Sequence, residues 1–155
     1  VWTWVAIDAD SKLVISYLVG DRDATYASEF MLDVAGRLSN RVQLTSDGHR
    51  PYLDAVDGAF GTNIDYSMLV KIYGEQREGA ARYSPAVCTG CKKQRVVGNP
   101  DPEFVSTSYS ERQNLTLRMQ SRRFTRLTNA FSKKIDNHEH AVALHYFAYN
   151  FIRKH

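Results

Sequence analysis

Residues 2–48, WTWVAIDADSKLVISYLVGDRDATYASEFMLDVAGRLSNRVQLTSDG, carry the pattern that decides the fold class. WTWVAI (2–7) and LVISYL (13–18) are aromatic and β-branched runs separated by Asp8-Ala9-Asp10-Ser11, so they read as an antiparallel hairpin. Gly20-Asp21-Arg22-Asp23 breaks the second strand and supplies a cap for a helix over 24–38. Within that helix Tyr26, Phe30, Met31, Val34 and Leu38 recur at helical spacing and form its inward stripe. VQLT (42–45) is then a short strand that stops at Ser46-Asp47-Gly48.

Working outward, a second helix runs from Arg50 to about Phe60, with Pro51 at a first-turn position that tolerates it. DYSMLVKI (65–72) reads as another strand, 104–107 as a short extended lead-in, and a last helix follows Asn137 to about Ile152. Hairpin, helix, strand, helix, strand, helix describes an α/β layer fold with a mixed sheet. Residues 74–101 are different in kind: rich in Gly, Pro and charge, without a sustained period, they read as a surface loop insertion. Loops of that length usually have work to do, so contact with DNA or a partner is expected of it.

With 155 residues, 43% of them hydrophobic, the chain can bury the core of one domain. The formal net charge is only +3, so the basic character is local; it gathers in the last third and suggests a polyanion partner. No run of 18 apolar residues suits a membrane span, and no signal-peptide pattern opens the chain. Cys88 and Cys91 form a lone Cys-x-x-Cys, too few ligands for zinc, and read as reduced thiols in a loop of a cytoplasmic protein. Val1 leads directly into strand-like sequence and Arg153-Lys154-His155 closes an apolar run, so both ends read as cut.

The basic third is STSYSERQNLTLRMQSRRFTRLTNAFSKK (106–134), read as a helix from 109 to about 129 that Ser108 or Ser110 can cap. At about 100° per residue, Glu111, Arg118, Arg122 and Arg126 share one stripe, and Leu117, Phe124, Leu127 and Phe131 lie opposite. The lone acid suits a metal and the arginines suit phosphates. The same residues also suit a plain solvated face with a Glu answering the helix dipole. Asp47 ends a strand just before a Gly, where ligands collect in α/β sheets, although Asp-Gly is also an ordinary turn. Mg²⁺ takes few hard oxygen ligands, so Asp47 and Glu111 together make much of a two-metal site for phosphoryl transfer.

Thr45-Ser46-Asp47-Gly48-His49-Arg50-Pro51-Tyr52 resembles the second catalytic-acid motif of bacterial insertion-sequence DDE transposases. Ser110-Glu111-Arg112-Gln113-Asn114-Leu115-Thr116-Leu117-Arg118, followed by Asn129-Ala130-Phe131-Ser132-Lys133, resembles the third, and the hairpin resembles that group's second and third strands. The resemblance implies one RNase H-like catalytic core over 1–155, two Mg²⁺ or Mn²⁺ ions, and DNA cleavage and strand transfer at transposon ends. It makes Asp47 and Glu111 the second and third acids. Their first acid sits on a central strand ahead of the hairpin, upstream of Val1; Asp8 matches the hairpin turn instead. A core lacking that strand, which lies between the hairpin and strand 42–45, is expected to be poorly stable and inactive alone.

In this reading Arg112, Asn114, Arg118, Arg122 and Arg126 contact DNA backbone, with Asn114 and Arg118 placed to order Glu111 or hold the scissile phosphate. Asn114 reads equally as surface polarity, and His49 as an exposed loop residue. His138, His140 and His145 read as surface or core-edge groups, and Trp2, Trp4, Tyr146 and Phe151 as core. The expected partners are transposon ends, target DNA and further copies of the chain, in a bacterial, nucleoid-associated setting. The competing reading is a non-catalytic DNA-binding remnant or inactive fragment, which would bind DNA in a salt-dependent way without needing metal.

Overall fold

β1 (Trp2–Ile7) and β2 (Val14–Gly20) pair antiparallel as the hairpin pattern predicts, with Trp2 opposite Gly20 and Trp4 opposite Leu18. The computed structural model describes residues 1–74, 88–124, 129 and 132–154. The Asp8 carboxylate closes the hairpin by accepting from the Ser11 amide at 3.0 Å and from the Ser11 hydroxyl. Lys12 takes the left-handed conformation, φ 65°, that lets the chain return. At the other end of β2, the Tyr26 ring lies where a side chain on Gly20 would point, so that strand end needs a residue without Cβ.

Asp23 caps α1 (Ala24–Arg37) by accepting from the Tyr26 amide at 2.9 Å, and Ala27, Phe30, Met31 and Val34 are buried along one stripe. β3 (Gln43–Asp47) then runs parallel to β4 (Asp65–Tyr73), with α2 (Pro51–Phe60) as the crossover between them. Leu69 of β4 stands opposite Asp47.

The segment expected as a loop insertion departs from that reading. Cys88–Val97 forms a ten-residue strand, β5, antiparallel to β4, while 75–87 lie outside the described residues. β5 is mostly exposed, so no burial pattern marks it, and it is held by the ladder to β4 and by Val96 and Val97 against the core. The expected extended lead-in begins as a 3₁₀ turn, Pro102–Phe104, before Val105 straightens.

α3 (Ser108–Gln120) starts where the sequence indicates but stops well before Asn129. Its N-cap is Thr107 and not Ser108 or Ser110, and the Thr107 hydroxyl is committed to Glu111 instead of a backbone amide. At Ser121 the backbone turns extended and a 3₁₀ turn, Arg122–Phe124, follows. Phe124, in that turn, packs against His138 and the core formed by Leu117, Val142 and Tyr146. α4 (Ile135–Phe151) begins slightly before the expected Asn137 cap.

Two cores flank the strands. Trp4 joins α1, α2, Ile64, Tyr66 and Met68 in one, while Val14 and Val19 of β2 meet α3 and α4 in the other. The result is an α/β arrangement with two sheets, β1-β2 and the mixed β3-β4-β5. Among the described residues no ladder joins them: β1 pairs only with β2, and β3 only with β4. No helix among the described residues is long and apolar enough to cross a membrane.

One polar node ties the mixed sheet together. Arg41 grips Asp65 bidentately, Nε to Oδ2 at 3.0 Å and Nη2 to Oδ1 at 2.7 Å, and also donates to the Thr62 and Ile64 carbonyls. The Asn99 amide adds a donor to Asp65 Oδ1 at 2.7 Å, just after Gly98, whose φ of +69° and crowded Cβ direction exclude other residues. The Arg41 hydrogen bonds first, then the Asn99 amide, bring the Asp65 carboxyl down to about 2. A folded value below the ordinary 3.8 makes this stabilisation complete above 3.8 and lost as the pH falls through about 2. The stability of Arg41→Ala, followed by urea unfolding at a series of pH values, is therefore expected to fall less steeply in that window than that of the parent chain. Equal slopes would show that Asp65 does not report on folding.

Candidate active site

The strand that ends in Asp47 is short because its sequence turns polar there, and the ending is built, not frayed. Ser46 is buried and shares a 2.7 Å hydrogen bond with the Tyr66 hydroxyl, anchoring the backbone just before Asp47. Burial pushes the Tyr66 phenol up to about 12, despite the opposing Ser46 bond and with help from the Asp47 charge, so it stays a neutral partner. Asp47 itself is exposed, and its Oδ1 accepts from the His49 amide at 3.1 Å in the turn beyond. Its Oδ2 faces the Arg22 guanidinium at 4.0 Å, which also lies over the Trp2 ring at 4.6 Å.

His49 is not the exposed loop residue the sequence suggests. Its ring is half-buried between Trp4 and Tyr52, with centroids 5.7 Å from each, and its Nε2 is buried without a hydrogen-bond partner. Burial lowers its basicity, Arg22 lowers it further, and Asp47 opposes them. The loop after Asp47 is thus held by packing.

Glu111 lies in the first turn of α3, where the helix dipole favours an acid. Its Oε1 accepts from the Thr107 hydroxyl at 2.6 Å and from Lys71 Nζ at 2.6 Å. Partial desolvation pushes the Glu111 carboxyl up, but hydrogen bonds from Lys71 and Thr107 and the Lys71 charge outweigh it and hold it below 4.5. The same bond raises Lys71. Lys71 belongs to β4, two residues past Leu69, the register partner of Asp47.

Asp47, Lys71, Glu111 and Asn114 all line one cleft of about 1790 Å³, which extends along the facing edges of β1 and β3. Asp47, Glu111 and Asn114, of the residues singled out in the sequence, thus line the same large cleft. Asp8 also lines this cleft, with Ser11 hydrogen bonds engaging its carboxylate and lowering its pKa. Arg112 and Arg118 are exposed on α3, and Arg122 is exposed in the 3₁₀ turn beyond it. The arginine stripe is accordingly broken after Arg118 by the bend at Ser121, and Arg126 lies outside the described residues.

Carboxylate oxygens are the kind of hard donor that Mg²⁺ or Mn²⁺ would take. Asp47 and Glu111 both open on the cleft that Asp8 and Asp10 also line, and each of the two already faces a cation drawn from another element, Arg22 for Asp47 and Lys71 for Glu111. Among the described residues no group of three His, Cys, Asp or Glu side chains gathers to hold a metal ion. Cys88 and Cys91 are exposed free thiols on β5.

Sequence reasoning missed Arg22 and Lys71. Arg22 was absorbed into the turn that caps α1, and Lys71 into an apolar strand, where a lone lysine at the C-terminal end was the available signal. The chain matches no family model, no curated protein and no solved structure.

Proposed function

We propose that this chain is the catalytic core of a DDE-type transposase with an RNase H-like fold, cleaving and joining DNA phosphodiesters with Mg²⁺ or Mn²⁺. The observation that carries the reading is that Asp47, at the C-terminal end of β3, and Glu111, in the first turn of α3, line one cleft. Bound divalent ions would activate the attacking oxygen and stabilise the leaving one. The chain's own residues do the rest. Ser46 and Tyr66 fix the strand end that presents Asp47, and Thr107 fixes the rotamer of Glu111. Asn114 faces the cleft one turn further along α3, and exposed Arg112 and Arg118 offer charge to a DNA backbone.

In this reading a third carboxylate comes from a strand between β1 and β3, where two unpaired edges flank the cleft. The absence of a three-ligand group among the described residues favours the second reading, a DNA-binding fragment without catalysis.

Duplex DNA affinity with and without Mn²⁺, for the parent chain and Asp47→Ala, separates the two. The catalytic-core reading expects Mn²⁺ to raise DNA affinity in the parent and not in Asp47→Ala, with the metal-free, salt-dependent affinity similar in both. Identical behaviour with and without Mn²⁺ would favour the DNA-binding fragment. No DNA affinity at all would discard both.

A further inference from the structure

We propose that Lys71 is the resident counter-cation of Glu111: an arriving divalent ion displaces it, and its freed ammonium then takes a DNA phosphate beside the site. This rests on the reading of Glu111 as a metal ligand. Both contacts to Glu111 converge on the same oxygen, Oε1, from Thr107 and from Lys71, each at 2.6 Å. Oε2 accepts no hydrogen bond among the described residues. The two partners differ in what they do to a metal. Thr107 is neutral, adjoins Glu111 through the first helical turn, and can orient the carboxylate with an ion present.

Lys71 carries a full positive charge onto a metal ligand. A divalent ion on the same carboxylate would be repelled by it with twice the force of a monovalent one. The pair it must give up is weakly held, since the Lys71 and Glu111 side chains are 34% and 50% exposed. Lysine also suits a transfer between anions, being a compact, hydrated charge on a flexible stem. Arg22 is built differently: it stands 4.0 Å from Asp47 and is stacked on Trp2, so it has an anchor that Lys71 lacks. Because β4 carries Lys71 beside the strand of Asp47, its displaced ammonium stays in the cleft that both acids line. Metal and DNA then favour each other's binding, since each relieves the other's competitor.

The test is Mn²⁺ binding to the 155-residue chain, followed by electron paramagnetic resonance, in the parent, Lys71→Met, Lys71→Gln, Lys71→Arg and Glu111→Gln. The two neutral variants are expected to bind Mn²⁺ about tenfold more tightly than the parent, and Lys71→Arg to bind like it. With Mn²⁺ present, the salt dependence of duplex DNA affinity is expected to be shallower by about one phosphate contact in Lys71→Met. Without Mn²⁺ the two slopes are expected to coincide. Unchanged or weaker Mn²⁺ binding in both neutral variants overturns the proposal while leaving the metal-ligand reading intact, provided Glu111→Gln loses the ion. If Glu111→Gln binds Mn²⁺ as the parent does, or no variant binds it, both fall together.

Discussion

Truncating Trp4 to alanine is expected to lower the unfolding free energy by about 3–5 kcal/mol. Trp4 is only 2% exposed and sits where three elements meet. Its ring lies 5.9 Å from Phe30 of α1, 5.5 Å edge-on from Tyr52 of α2, and 5.7 Å from His49 in the loop after Asp47. Its Nε1 donates to the Asp21 carbonyl at 3.2 Å, which ties the start of α1 to the hairpin. Since no ladder joins the two sheets among the described residues, this packing carries the docking of β1 onto the α1–α2 core. Domains of this size are typically stable by about 5–15 kcal/mol, so the variant should approach the folding threshold. Trp4→Phe keeps an aromatic ring but leaves the Asp21 carbonyl without its donor, and its loss should be the smaller. Urea unfolding followed by far-ultraviolet circular dichroism measures both. A loss below about 1 kcal/mol for Trp4→Ala would mean that the hairpin is not docked through this residue. The site would feel the same change, because the His49 ring that steadies the Asp47 loop rests on Trp4.

What the sequence made legible follows from how local its causes are. β1, β2, α1, β3, α2 and β4 announce themselves through alternation, a cap at Asp23, a proline at position 51 and apolar spacing. β5 does not, because CTGCKKQRVV is a largely exposed, charged strand held by pairing with β4 and by Val96 and Val97 against the core. The end of α3 was hidden for a related reason. Nothing at Ser121-Arg122-Arg123 forbids helix, so no local signal marks the bend after which Phe124 packs against His138. The candidate site divides along the same line. Asp47 and Glu111 stand at positions where a strand end and a helix start favour acids, so the primary sequence points to them. Their cations come from elsewhere in the chain: Lys71 is forty residues from Glu111, and no local pattern couples the two. The arginine stripe failed as a unit because it assumed an unbroken helix through Arg126.

Amide hydrogen exchange is expected to split along β1 and β3, with protection near unity on the edges that face the cleft and at least about 10³ in β4. In an antiparallel pair alternate residues turn their N–H and C=O groups away from the partner, so half of the β1 amides have only the cleft to face. β3 is in the same position on its side away from β4. β4, by contrast, pairs on both edges, parallel with β3 and antiparallel with β5, and its Tyr66 and Ser67 are almost fully buried. The molecule protects other edges with side chains. Asn150 of α4 offers its amide to both the N–H and C=O of Val14 at 2.9 Å. Among the described residues no such amide guards the cleft edges, so they stand ready to accept another strand. An alternating pattern of fast and slow amides along Trp2–Ile7, read residue by residue by nuclear magnetic resonance, is the expected result. Uniform protection along β1 would show that the edge is already paired in solution, and a protein concentration dependence would then identify a second copy as the cover. Fast exchange confined to alternate residues would instead make the cleft between Asp47 and the hairpin an open slot, one strand short of a continuous sheet.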